Sequence, residues 1–167
     1  MFRKGYELGP AEYIMLDDTK IDDIERELGV KVLVCDHTGE DIVSIWHPEA
    51  KYQGWLNTLH GGIQATMLDE ICAWVIARKL QTTGVTSSME TKYMRPVSTT
   101  DEYIVLRARI KEQKRNIVLV DASIFNKDGQ ECTRTTCTYF TFSKEKALKD
   151  MYFSGCETEE EEVNPLI

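Results

Sequence analysis

The longest helical pattern of apolar positions in the chain is "GGIQATMLDEICAWVIARKL", residues 61–80. Ile63, Met67, Ile71, Trp74 and Val75 fall on one broad side at helical spacing, and Ala65, Leu68, Cys72 and Ile76 fall on another. The pattern predicts a helix buried on most faces. After it the period changes to two. "VTSSMETKYM" sets Val85, Met89 and Tyr93 against Thr86, Ser88, Glu90 and Lys92, and ends before Pro96. "DEYIVLRARIKEQKR" sets Ile104, Leu106, Ala108 and Ile110 against Tyr103, Val105, Arg107 and Arg109. "NIVLVDASIFN" and "ECTRTTCTYFTF" follow, joined at "KDG", a strong hairpin signal. "KEKALKDMYF" predicts a short closing helix.

Upstream, "DDTKIDDIERELGV" has Ile21, Ile24 and Leu28 at helical spacing with Gly29 as a stop. "KVLVCDHTGEDIVSIWHP" reads as two extended segments about the turn "DHTGE", and "EAKYQGWLNTL" as an irregular loop containing aromatics. Short connections make neighbouring strands antiparallel. A sheet this long must curl, and the 61–80 helix is the element apolar enough to fill its concave face. The expected class is α+β, a curved antiparallel sheet wrapped around one long central helix.

Length fits one domain, residues 1–153, with a helical N-terminal extension. Residues 154–167 are expected to be a disordered acidic tail. The net charge of −8 includes five tail glutamates, which leaves −3 on the body. That balance gives no support to nucleic-acid binding. No apolar run approaches the roughly 20 residues of a membrane helix, and the N-terminus does not read as a signal peptide. Five cysteines without a C-x-x-C pair fit reduced thiols in a cytosolic protein.

The chemistry concentrates in "LHGGIQATMLDEI". Gly61 and Gly62 open the helix, where backbone N–H groups lack partners and the dipole is positive. Asp69 interrupts an apolar run, and a buried carboxylate needs a compensating role or partner. An ion pair with Arg78 or Arg95 would be one such partner. Glu70, about 100° round the helix, suits a structural hydrogen bond or ion pair. His60 suits a loop-orienting hydrogen bond. There is no G-x-S-x-G elbow for a triad, and His47, His60 and Asp69 lack the spacing of a zinc site, so no metal or cofactor is expected.

The order of elements, with "HGG…LDE" opening the helix, resembles the hotdog-fold acyl-CoA thioesterases of the phenylacetic-acid-degradation (PaaI-like) group. The likeness covers roughly residues 30–143 and is densest in "YQGWLNTLHGGIQATMLDE" and "VTSSMETKYMRPV". It implies hydrolysis of an acyl-CoA to free acid and coenzyme A, in a cytoplasmic homodimer or a tetramer built as a dimer of dimers. It assigns the oxyanion donor to Gly61, the catalytic carboxylate to Asp69 and an assisting hydroxyl to Thr86. His60, Gly62, Gly54, Trp55, Asn57 and Arg95 become candidate substrate contacts. Many members carry Asn six residues before the motif histidine. Here that position is Gly54, and Asn57 lies nearby without aligning.

Such chemistry needs a nucleophile, a proton acceptor and donors for the oxyanion. Whether Asp69 is base or nucleophile stays open, as do the acyl group and coenzyme A against acyl carrier protein. Tyr52, Trp55, Met67 and Trp74 would line an acyl pocket or simply pack the core. Coenzyme A phosphates would call on basic side chains among Lys92, Arg95, Arg107, Arg109, Lys114 and Arg115. A non-catalytic acyl-CoA-binding module is the alternative. Asp69 beside the glycines favours the enzyme, and the chain has no helix-turn-helix segment. A dehydratase or hydratase would want a histidine-plus-acid arrangement that the sequence lacks. Asp69 follows Gly62 by seven residues, on one face but about 10.5 Å along the axis. Two antiparallel helices across a two-fold axis would bring each Gly61 to the other chain's Asp69.

Overall fold

The computed structural model describes residues 30–33, as backbone, and 41–156. The expected helix at 21–28, the "DHTGE" turn and the tail beyond 156 lie outside these residues. The elements are β1 (Val30–Leu33), β2 (Ile42–Trp46), β3 (Gln53–Trp55), β4 (Thr58–Leu59), α1 (Gly61–Leu80), β5 (Gly84–Tyr93), β6 (Ile104–Lys114), β7 (Ile117–Phe125), β8 (Glu131–Thr141) and α2 (Lys144–Met151).

Six strands form one antiparallel sheet in the order β1-β2-β6-β7-β8-β5. Helix α1 packs on β2, β5, β6, β7 and β8, so the sheet wraps the helix as the sequence predicts. Leu68, Cys72, Val75 and Ile76 of α1 meet Ile42, Leu106, Val120 and Ile124 of the sheet in one core. In β6 the expected face reaches the core through Ile104, Leu106 and Ala108, but Val105 on the other face is buried as well and Ile110 is only half-buried. The "KDG" hairpin is held by Asn126, whose Oδ1 accepts the N–H groups of Asp128 and Gln130, with Gly129 at φ 72°.

Two local features depart from the pattern. Residues 50–59 are more ordered than an irregular loop. A 3₁₀ turn, Ala50–Tyr52, leads into the β3–β4 hairpin. Asn57 turns that hairpin with φ 56°, and its N–H donates to Gln53 Oε1 at 3.2 Å. In β5, strict alternation would put Val85 on the helix side and Thr86 outside. The pairing register instead shifts between Thr86 and Ser88. That bulge reverses the first residues of the strand. Thr86 lies opposite buried Tyr139 on the helix side, and Val85, 47% exposed, lies opposite Phe140.

Among the described residues, the β5 margin of the sheet and one stripe of α1 are exposed. β5 is the margin, ten residues long and exposed over most of its length. Along α1, Gly62 and Thr66 are exposed while Asp69 and Ala73 are half-buried. Beyond α2 the chain stays attached as far as Cys156. Its N–H donates to Gln81 Oε1 at 2.9 Å, and its carbonyl accepts from Gln81 Nε2 at 3.0 Å and Arg78 at 3.3 Å.

Candidate active site

Helix α1 begins where β4 delivers His60. The His60 N–H is fixed to the Tyr52 carbonyl at 3.0 Å, and its own carbonyl accepts the first intrahelical bond, from Gln64 N–H at 3.1 Å. Its ring caps the helix, with Nδ1 accepting from Gly62 N–H at 2.9 Å. The loop-orienting role expected of His60 is therefore realised as an N-cap. The expectation that both glycines keep unpaired N–H groups is corrected: the Gly62 N–H is taken, and a ring so close leaves little space for a side chain. An added Cβ at Gly62 would lie 3.1 Å from His60 Nδ1. Gly54 serves the same ring from the other side, because a Cβ there would stand 2.9 Å from His60 Cδ2. Gly61 keeps its N–H without an acceptor among the described residues. Its carbonyl accepts from Tyr93 at 2.9 Å.

Two turns further on, Asp69 meets β5 and β8. Its Oδ1 accepts from Thr86 Oγ1 at 2.8 Å and from the Tyr139 hydroxyl at 3.1 Å. The same hydroxyl lies 3.0 Å from the Asp69 carbonyl oxygen. Burial pushes the Tyr139 phenol up from its ordinary value, so it stays protonated and donates. Neither arginine considered as an ion-pair partner reaches Asp69: Arg95 donates to the Glu131 carbonyl at 2.7 Å and Arg78 to that of Cys156. Glu70 has its carboxyl raised, first by burial and then by Asp69, with a hydrogen bond to Trp74 opposing.

The structure thus gathers Gly54, His60, Gly61 and Gly62 at one end of α1, and Asp69 with Thr86 two turns away. Asn57 is the turn residue of the β3–β4 hairpin. Trp55 beside it is 82% exposed, while Met67 and Trp74 belong to the core and Tyr52 packs on Trp46. Lys92, Arg107 and Lys114 have acidic neighbours in Glu90, Asp41 and Glu112. Tyr93 and Tyr139 are contacts that the pattern did not single out, since an aromatic residue in an alternating strand carries no signal of its own. Among the described residues there is no group of three His, Cys, Asp or Glu side chains able to hold a metal, and no helix long and apolar enough to cross a membrane.

A model of the thioesterase superfamily matches residues 56–133, the span from the hairpin through the helix to β8. That segment belongs to the thioesterase superfamily. The human protein acyl-coenzyme A thioesterase 13 is 29% identical over 110 residues, 65% of this chain and 77% of its own. Among solved structures, the Escherichia coli PaaI protein from the phenylacetic acid degradation operon superposes with a TM-score of 0.65 at 17% identity, covering 75% of this chain and 88% of that one. A hypothetical thioesterase from Streptococcus pneumoniae, determined with coenzyme A, gives 0.60 at 22% identity, covering 68% and 89%. The fold of this chain is therefore the hotdog fold, as the order of its elements predicts.

Proposed function

We propose that the protein hydrolyses acyl-CoA thioesters in sites that two chains build together. The observation that carries this reading is a division of labour along α1. The helix start offers a free backbone donor at Gly61, and a hydrogen-bonded carboxylate projects at Asp69. Eight residues separate them, about 12 Å along the axis, whereas reacting groups must lie about 3–3.5 Å apart. A second copy placed antiparallel would set its Asp69 against this chain's Gly61. The exposed stripe of α1 and the uncovered β5 margin support that arrangement, because a long unpaired strand edge is ordinarily covered. The human relative is an acyl-coenzyme A thioesterase by name and the pneumococcal structure holds coenzyme A, which favours coenzyme A as the thiol.

In this mechanism the thioester oxygen sits on the Gly61 N–H. Asp69 takes a proton from water as the water oxygen attacks the acyl carbon. Charge develops on the thioester oxygen, where the donor and the helix dipole hold it. Collapse breaks the C–S bond, and the coenzyme A thiolate leaves with the proton returned to sulfur. Free thiols at Cys72, Cys132, Cys137 and Cys156 favour a reducing compartment, so the reading assigns the enzyme to the cytoplasm. The test is thiol release across a panel of acyl-CoAs. Asp69→Asn is expected to lower turnover roughly 10²-fold or more, the scale of losing a general base. Near-normal turnover by a folded Asp69→Asn protein would overturn the assignment.

A further inference from the structure

We propose that Tyr139 is a positioning residue for Asp69: with Thr86 it holds one carboxylate oxygen and leaves the other to the reaction. This rests on the catalytic reading of Asp69 given above. Three elements converge on Oδ1. Asp69 comes from α1, Thr86 from β5 and Tyr139 from β8. Thr86 and Tyr139 stand opposite one another in the β5–β8 register, so both hydroxyls rise from adjacent backbone positions toward the helix. Both hydroxyls reach the same oxygen, at 2.8 and 3.1 Å, the phenol sharing its one proton between Oδ1 and the Asp69 carbonyl at 3.0 Å. Oδ2 has no protein partner among the described residues.

That asymmetry has a mechanical effect. The terminal torsion of an aspartate is broad, so one donor on one oxygen leaves the carboxylate plane free to rock. Two donors from two strands fix it. Tyr139 is the stiffer of the pair, because its ring is 2% exposed while Thr86 is open to solvent. A buried phenol needs an acceptor for its proton, and the Asp69 carbonyl at 3.0 Å would by itself satisfy it. The contact to Oδ1 is the part that packing does not require. It sets the direction in which Oδ2 faces.

The test removes the hydroxyl and keeps the ring. Tyr139→Phe is expected to lower kcat roughly 10-fold, the scale of a sub-ångström misplacement of a reacting group, while KM stays within about two-fold. In the Asp69→Asn background the same change is expected to have no further effect, because nothing remains to be aimed. A structural role alone would lower Tm and scale kcat by the folded fraction in both backgrounds. If Tyr139→Phe folds poorly, Tyr139→Met fills the site with a flexible apolar side chain and no hydroxyl, and the same split is required of it. Unchanged kcat in a folded Tyr139→Phe enzyme, with Asp69→Asn inactive, overturns this inference and leaves the catalytic reading standing. An active Asp69→Asn enzyme overturns the reading itself.

Discussion

Glu70 and Asp69 are adjacent in the chain and meet opposite surroundings. Asp69 is met by two hydroxyls, whereas Glu70 faces burial that raises its carboxyl. A carboxyl raised in the folded state favours folding below the ordinary glutamate range, and that contribution is lost as pH rises through the shifted value. Glu70→Gln keeps a hydrogen-bonding group for Trp74 and removes the charge. Its Tm is therefore expected to exceed that of the wild type at pH 7, with the gain fading as pH falls to about 4. Thermal melts at the two pH values check it, and a variant no more stable than wild type at pH 7 would show the charge to be compensated. At this scale the sequence speaks unevenly. Asp69 is legible because an acid in an apolar helix demands a reason. Tyr139 is not, since a buried tyrosine in a strand is commonplace. The His60 cap is hidden too, histidine not being among the favoured N-cap residues.

Elements were easier to read than the irregularities inside them. Helix α1, the four long strands after it and α2 follow directly from periods of 3.6 and 2. The bulge in β5 does not, because one extra residue leaves two alternations that each look regular; yet it is what turns Thr86 toward Asp69. The end of the folded chain is another such detail. Composition puts the tail boundary at Ser154, while the structure ties Cys156 to Gln81 and Arg78 at the end of α1. A chain ending at Phe153 loses those three hydrogen bonds, each worth about 1 kcal/mol, and is expected to melt about 10 °C lower. A chain ending at Cys156 is expected to match the full-length protein. Equal melting temperatures for the two truncations would show that the contacts add nothing.

At the scale of the whole molecule, helix rise alone separates Gly61 from Asp69, so the reason to propose a second chain is legible in the sequence. What the sequence did not reveal is the surface that would meet it, the exposed β5 margin beside the Gly62–Thr66 stripe. Mixed dimers test the pairing. Gly61→Pro removes the donor N–H at the one helical position where proline is at home, and His60 already has the extended backbone that proline asks of its predecessor, φ −61° and ψ 134°. Each of Asp69→Asn and Gly61→Pro is expected to be inactive alone. Verified heterodimers of the two should regain up to about half the wild-type activity per dimer, one site holding both defects and the other none. No recovery would count against shared sites.

The two-turn gap along α1 also makes inheritance matter. In the proposed shared-site dimer, two defects carried on separate alleles would complement, since the protomers sort them into one ruined site and one whole. The same two defects on a single allele do the opposite. Such a chain would bring a broken half to each site of any dimer it joins, and would silence its wild-type partner.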